Sequence, residues 1–193
     1  GDDLGAVWTP EKTVFRVWAP TADAVTLNLY QSGTPDTDDL IEQIPMTADK
    51  NGTWVAEKEG DLNGTYYTYL VSVGGAENEA CDPYARTTGV NGKRAMVIDL
   101  SSTNPDGWDS DSNPNAGMTY NDAIIYELHV RDLSSDESSG IKNTGKFLGL
   151  TETGTTTASG ISTGLDHIKD LGITHLHLLP VYDYASVDET KLD

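Results

Sequence analysis

The stretch Val25-Thr26-Leu27-Asn28-Leu29-Tyr30 decides the fold of the first half of the chain. Its apolar residues alternate with polar ones at a period of two, which is the pattern of a strand with one buried face. Similar stretches surround it at 14–18, 52–55, 66–71 and 95–100, separated by turn pairs such as Asn51-Gly52 and Asn63-Gly64. Strands that recur every ~8–12 residues between such turns predict an all-β, immunoglobulin-like sandwich.

The composition changes near residue 100. Residues 101–120 are rich in Ser, Asn, Asp, Pro and Gly, and they predict a linker between a β-sandwich at 1–100 and a second domain at 121–193. Trp108 is the exception within this linker. An isolated tryptophan in polar sequence is expected to pack onto a neighbouring domain.

The second domain has the pattern of one parallel βαβ unit. Residues 124–130 and 173–181 are apolar runs typical of parallel strands, and a helix is predicted from about Thr163 to Leu171. Thr163 and Asp166 form a predicted capping box at the start of this helix. Gly172 stands where a left-handed residue commonly ends a helix.

Polar residues on the two parallel strands are candidates for chemistry. Glu127, His129 and Arg131 fall on one face, as either an acid–base array or a polar network beneath the helices of a barrel. His175 and His177 share a face of the second strand, and such a pair can bind metal in metal-dependent hydrolases. Few further ligands accompany this pair, so the sequence predicts neither a metal site nor a cofactor.

The stretch Tyr182-Asp183-Tyr184 follows the second strand. Residues at the carboxyl ends of barrel strands face the active site. Two aromatic rings around a carboxylate are suited to stacking on sugar rings and to bonding sugar hydroxyls. The three residues are therefore our predicted substrate-binding group; the alternative is that they only end the strand and direct its loop.

Charge and composition narrow the possible partners. The net charge is −19 and the pI is near 4.2, so nucleic acid and anionic membrane surfaces are excluded as partners, whereas neutral sugars are not. No apolar run approaches the ~20 residues that cross a bilayer. The single cysteine, Cys81, excludes an internal disulfide. Modest lysine content and loops rich in Ser, Thr and Asp favour an extracellular or cell-surface location.

Several stretches resemble the N-terminal part of type I pullulanases, the starch-debranching enzymes of the α-amylase superfamily in glycoside hydrolase family 13. Phe15-Arg16-Val17-Trp18-Ala19-Pro20-Thr21-Ala22 is similar to the opening strand of their carbohydrate-binding module family 48 domain. Residues 125–132 and 171–181 are similar to the first two strands of their catalytic barrel. The remaining similar stretches are 82–85, 91–97, 145–150, 164–167 and 186–189.

The resemblance implies hydrolysis of α-1,6-glucosidic bonds in pullulan and branched starch, on a (β/α)8 barrel and by a retaining mechanism with two carboxylates. In the family the catalytic carboxylates lie on the fourth, fifth and seventh barrel strands, and this sequence stops after the second. No catalytic residue is therefore carried over. We expect a truncated chain that is inactive alone, needs the missing remainder of the barrel as its partner, and belongs to an enzyme that binds α-glucan.

The same resemblance sets an expectation for sugar binding by the sandwich. Members of this module that bind glycans use exposed tryptophans, whereas Trp54 lies within a strand and is expected in the core. The loop at 74–77 contains no aromatic residue. We therefore predict a structural partner of the barrel, with affinity for malto-oligosaccharides no tighter than about millimolar. The alternatives are a non-enzymatic α-glucan-binding or scaffold module and, third, a metal-dependent hydrolase.

Overall fold

The computed structural model describes residues 3–179, 181–182, 187 and 190–191. These residues form two compact units that divide between Trp108 and Asp109, and the second unit ends at Tyr182. None of the helices in the described part of the chain has the length and apolar character needed to span a membrane.

The first unit is built from two antiparallel sheets. Its strands are β1 (Gly5–Trp8), β2 (Lys12–Trp18), β3 (Ala24–Tyr30), β4 (Leu40–Pro45), β5 (Thr47–Asp49), β6 (Thr53–Glu59), β7 (Tyr66–Val73), β8 (Ala76–Ala80) and β9 (Ala95–Met96). One sheet has the order β1-β2-β6-β5, and the other has the order β4-β3-β7-β8 with β9 also paired to β7.

The core lies between these two sheets because alternate residues of the central strands point inward. Phe15 of β2, Leu27 of β3 and Tyr67 of β7 are all fully or almost fully buried. The rings of Phe15 and Tyr67 meet across the sheets, with centroids 4.9 Å apart at 70°. Burying such a side chain contributes about 1.5–3 kcal/mol. The prediction of an antiparallel β-sandwich is therefore confirmed.

The buried carboxylate of Asp82 connects the segment after β8 to this core by hydrogen bonds. Asp82 accepts hydrogen bonds from the hydroxyls of Tyr67 at 2.8 Å and Tyr69 at 3.3 Å, and from the backbone N–H of Tyr84 at 2.8 Å. Burial raises the pKa of Asp82, and these hydrogen bonds oppose the rise. The polar groups of these three buried side chains are thus paired with one another.

The strand predicted at 95–100 is shorter than expected. Only Ala95–Met96 pairs as a strand, and a 3-10 helix begins at Leu100. The cause is local, because the Asp99 side chain accepts a hydrogen bond from the Ser101 N–H at 2.9 Å and turns the backbone. Other short 3-10 helices lie at Lys50–Gly52, Val90–Gly92, Trp108–Ser110, Tyr120–Asp122, Glu137–Ser139 and Phe147–Thr151.

The second unit contains a parallel strand pair with a helix between the strands. Its elements are β10 (Ile125–His129), α1 (Gly164–Asp170) and β11 (His175–Leu179). Gly172 follows the helix with φ of 68°, as predicted for a left-handed residue at a helix end. The predicted capping box is wrong: the Thr163 hydroxyl donates to the Ser139 carbonyl, and Asp166 accepts from the Gly154 N–H. Both side chains tie the preceding loop to the helix instead.

Candidate functional site

The predicted substrate-binding residues are described only in part. Tyr182 is 83% exposed, which leaves its ring open to a ligand. Asp183 and Tyr184 lie outside the described residues. The grouping of the three around a sugar therefore stays a prediction.

The two parallel strands bring one acid and one histidine together. Their register places Glu127 opposite His177, and Oε2 of Glu127 lies 2.9 Å from Nδ1 of His177. On the same strand as Glu127, Nδ1 of His129 lies 3.7 Å from Asp132. The side chains of both pairs are more than two-fifths exposed. Glu127 and His177 thus form a polar pair across the two strands, which both the acid–base and the polar-network interpretation allow.

The sequence predicted that Arg131 lies on one strand face with Glu127 and His129. This prediction is wrong, because Arg131 lies beyond the end of that strand. Strand β10 ends at His129 because the backbone turns there. The N–H of Leu133 donates to the His129 carbonyl at 3.2 Å, and the N–H of Ser134 donates to the Arg131 carbonyl at 3.2 Å. Arg131 therefore lies in the turn that follows the strand, where the alternation of faces no longer holds.

The two histidines of β11 have separate partners. Nδ1 of His175 lies 2.8 Å from the hydroxyl of Thr174, while His177 pairs with Glu127. Within the described residues, no three His, Cys, Asp or Glu side chains are grouped closely enough to hold a metal ion.

The tryptophans differ in their surroundings. Trp54 packs partly buried against the core and donates from Nε1 to the Ala19 carbonyl at 3.0 Å, which confirms the prediction for that residue. Trp108 is 57% exposed. That it packs onto a neighbouring domain stays a prediction.

Trp18 is a further exposed aromatic residue, and it is not among the site residues that were predicted from the sequence. It ends β2 and is 58% exposed, while Val17 beside it is buried. Its indole Nε1 donates to the Asn51 carbonyl at 3.1 Å. The signal was present in the sequence, because the alternation that buries Phe15 and Val17 must point Trp18 outward.

Trp18 borders a cleft of about 470 Å³ in the outer surface of the β1-β2-β6-β5 sheet. The cleft is lined by Asp3, Leu4, Arg16, Trp18, Lys50, Asn51 and Thr53. Arg16 forms ion pairs with Asp3 at 2.8 Å and Asp49 at 2.5 Å. The hydrogen bond from Arg16 holds the pKa of Asp49 below its ordinary value. The cleft thus combines one aromatic surface with a largely neutralised polar rim.

Comparison with known proteins shows which family the first unit resembles. Residues 3–85 match the family model of carbohydrate-binding module 48 (isoamylase N-terminal domain). The chain is 41% identical to a pullulanase of Bacillus subtilis over 98% of its own length and 25% of that protein. It is 38% identical to pullulanase 1, chloroplastic, of Arabidopsis thaliana, over 97% of this chain and 20% of that protein.

A solved structure covers both units of the chain. It is the crystal structure of pullulanase from Paenibacillus barengoltzii in complex with maltohexaose and α-cyclodextrin. The sequence identity is 53% and the TM-score is 0.92, over 100% of this chain and 30% of that one. The chain therefore spans about a third or less of the length of these relatives.

Residues 3–85 of the first unit, with its two antiparallel sheets, thus belong to the carbohydrate-binding module 48 family. Over nearly its whole length, the chain is homologous to the N-terminal region of type I pullulanases. The resemblance seen in the sequence is confirmed.

Proposed function

We propose that this chain is the N-terminal portion of a debranching enzyme that hydrolyses α-1,6-glucosidic bonds in pullulan and starch. The observation that carries the proposal is the similarity to pullulanases, which runs through both units in order and covers 98% of the chain for the Bacillus subtilis protein. A carbohydrate-binding module alone would account for residues 3–85 and leave the second unit unexplained.

In this proposal, residues 1–100 are an immunoglobulin-like sandwich, residues 101–120 are a linker, and residues 121–193 are the first βαβ unit of a (β/α)8 barrel. The parallel pairing of β10 and β11 with α1 between them supports the barrel assignment. The exposure of apolar strand residues also supports the barrel assignment, since Ile125 is 68% exposed and Leu179 is 37% exposed. Further barrel strands and helices would cover these side chains.

Each candidate residue has a role in this proposal. Tyr182, Asp183 and Tyr184, which follow the second barrel strand in the sequence, would contact the glucan, and the exposed ring of Tyr182 offers a stacking surface. Glu127 and His177 form a polar pair that joins the two strands. The catalytic carboxylates come from barrel strands beyond these two, so the chain alone supplies binding surface and no nucleophile.

In this proposal, the whole enzyme to which the chain belongs binds an α-glucan. The complex of the Paenibacillus barengoltzii pullulanase with maltohexaose and α-cyclodextrin supports this choice, since that protein is 53% identical to the chain. A neutral polysaccharide is also compatible with a net charge of −19, which would oppose a polyanion.

The experiment compares two tyrosine variants in the protein that continues past Asp193. Tyr182→Ala should raise the KM for pullulan about tenfold, since a lost stacking contact of about 1.4 kcal/mol corresponds to that factor. Tyr120→Ala is the matched control, because Tyr120 is fully exposed and lies outside the proposed site. An unchanged KM for Tyr182→Ala would remove this residue from the substrate site.

The rival function is a non-enzymatic α-glucan-binding or scaffold module. The coding sequence beyond Asp193 separates the two. Further strand and helix patterns, with carboxylates at strand ends, would favour the enzyme. A stop codon directly after Asp193 in the gene would favour the scaffold module.

A further inference from the structure

We propose that Asn51 is a site of spontaneous deamidation, which converts this residue of the turn before β6 into a mixture of aspartate and isoaspartate. Three asparagines of the chain precede a glycine, namely Asn51, Asn63 and Asn91. A following glycine favours this reaction, because it has no Cβ to hinder the approach of its backbone nitrogen to the asparagine side chain. The local sequence is thus equally favourable at all three positions, and the folded structure separates them.

The reaction at Asn51 needs only water as a co-reactant. The backbone nitrogen of Gly52 forms a bond to Cγ of Asn51, the bond from Cγ to the amide nitrogen breaks, and ammonia leaves with the proton of the Gly52 N–H. Water then opens the cyclic imide, since its hydroxyl joins one of the two ring carbonyl carbons and its proton returns to the ring nitrogen. Opening at one carbonyl gives aspartate. Opening at the other gives isoaspartate, in which the main chain runs through the side-chain carbons.

The side chain of Asn51 is accessible and unrestrained. Asn51 is exposed, and its side-chain amide has no hydrogen-bond partner among the residues that the structure describes. It lies in the 3-10 helix Lys50–Gly52, a helix type whose hydrogen bonds have poorer geometry than those of an α-helix. Its φ of 60° is a conformation that costs energy for a residue with a Cβ. Local opening of so short a turn therefore brings the nitrogen of Gly52 to Cγ while the neighbouring strands stay paired.

Asn63 is restrained at both of the groups that would react. Its Oδ1 accepts a hydrogen bond from the N–H of Asp99 at 2.9 Å. The N–H of Gly64, whose nitrogen would have to attack, donates to the Val97 carbonyl at 2.8 Å. Both bonds join this turn to a segment that is distant in sequence, and both must break before the ring can close. Deamidation of Asn63 therefore needs a larger local unfolding than deamidation of Asn51.

Asn91 is protected by burial and by its neighbours. Its Oδ1 is buried, and the N–H of Gly92 donates to the Gly89 carbonyl at 3.1 Å. The N–H of Val90 donates to the Gly33 carbonyl at 3.0 Å. The backbones of Gly89 and Gly33 approach so closely that a Cβ on Gly89 would lie 2.5 Å from Gly33. Ring closure at Asn91 therefore requires this packed contact to open first.

Deamidation of Asn51 would change the surroundings of Trp18. Both products add a negative charge two residues from Asp49, which pairs with Arg16 at 2.5 Å. The Asn51 carbonyl accepts the indole hydrogen bond of Trp18 at 3.1 Å, and in isoaspartate this carbonyl becomes part of a carboxylate outside the main chain. The added main-chain carbon also lengthens the turn that joins β5 to β6. The reaction thus acts directly on a hydrogen bond that orients the indole ring.

The test incubates the folded 193-residue chain in mildly alkaline buffer and follows each asparagine by peptide mapping with mass spectrometry. We expect Asn51 to deamidate at least about fivefold faster than Asn63 or Asn91, the factor that one or two additional hydrogen bonds impose on local opening. In urea that unfolds the chain, the three rates should become similar, because the next residue is glycine in each case. Methylation by an isoaspartyl methyltransferase should mark the peptide that contains position 51.

Asn51→Gln and Asn63→Gln are matched variants, since both replace an exposed asparagine that precedes a glycine. Asn51→Gln should abolish the fast release of ammonia, because glutamine would have to close a larger ring, and Asn63→Gln should leave this release unchanged. Peptide mapping of the unchanged chain gives the order of the rates without any substitution, so the outcome does not depend on either variant folding. Deamidation of Asn63 or Asn91 in the folded chain as fast as that of Asn51 would overturn the proposal.

Discussion

Arg94→Ala is the substitution that tests most sharply how the sandwich is held together. Arg94 is only 6% exposed, and it contacts the last residue of β3 and the loop that follows this strand. Its guanidinium lies 2.9 Å from Asp39 and donates to the Ser32 carbonyl at 2.8 Å. The same group lies 3.7 Å from the centre of the Tyr30 ring.

The expected cost follows from these three contacts. A hydrogen bond to a charged group contributes about 1.5–3 kcal/mol. A desolvated cation–π contact adds up to about 2 kcal/mol. Asp39 keeps hydrogen bonds from Ser32 and Thr37 and is partly open to water, so its charge is not left without partners. We expect the free energy of unfolding to fall by about 3 kcal/mol, at the lower end of the range for breaking a buried ion pair.

Urea denaturation followed by tryptophan fluorescence measures this loss, because Trp8, Trp18 and Trp54 all lie in strands of the sandwich. Lys93→Ala is the matched control, since Lys93 is the exposed neighbour of Arg94 and its loss should cost less than about 0.5 kcal/mol. A cost for Arg94→Ala that does not exceed the control value would refute the reasoning.

The same substitution should change the response to acid. Burial raises the pKa of Asp39, but hydrogen bonds from Ser32, Thr37 and Arg94 outweigh it and hold that pKa well below the ordinary 3.8. A depressed pKa contributes stability above pH 3.8 that is lost as the pH falls through the folded value. Arg94→Ala removes one of these bonds, so the difference in stability between variant and unchanged protein should shrink below about pH 4. A difference that grows in acid would contradict this assignment.

Two further predictions concern the turn at Gly52 and the two parallel strands. In thermal unfolding, Gly52→Ala should destabilise the sandwich by about 3 kcal/mol and Gly60→Ala by about 1 kcal/mol. Both glycines have positive φ, but only at Gly52 would an added Cβ lie 2.6 Å from Pro20. Equal costs for the two substitutions would contradict this clash. Amides of β10 and β11 should exchange with solvent much faster than those of β7, because two parallel strands with one helix fall short of the three or more strands that ordinary stability needs. Equal protection in dilute monomer would show that the second unit is stable by itself.

The sandwich strands could be predicted because their signals are local. Alternation of apolar residues identifies β3, and the pair Asn51-Gly52 marks the turn before β6. Asn51 has φ of 60°, a conformation that asparagine tolerates better than most residues. The same alternation places Trp18 on the outside. Its position beside a cleft depends on Asp3, which precedes β1, and on Lys50, which lies in a 3-10 helix.

The parts that could not be predicted depend on long-range contacts. In the cluster of Arg94, Asp39 and Tyr30, Arg94 is 55 or more positions away from the other two residues in sequence, so no local pattern predicts it. The prediction of a capping box is wrong for the same reason. The Thr163 hydroxyl donates a hydrogen bond to the Ser139 carbonyl, which is 24 residues away in sequence. The strand at Ala95 was predicted too long because apolar residues continue beyond the point where Asp99 turns the backbone.

Release of reducing sugar from pullulan is the measurement that tests the central claim most directly. The protein that continues past Asp193 should hydrolyse pullulan and leave linear amylose, which lacks α-1,6 bonds, unchanged over the same period. The 193-residue chain, freed of host amylases, should release no more sugar than a buffer blank. Hydrolysis by the short chain would show that it carries its own catalytic residues, and failure of the longer protein to cleave pullulan would contradict its assignment as a debranching enzyme.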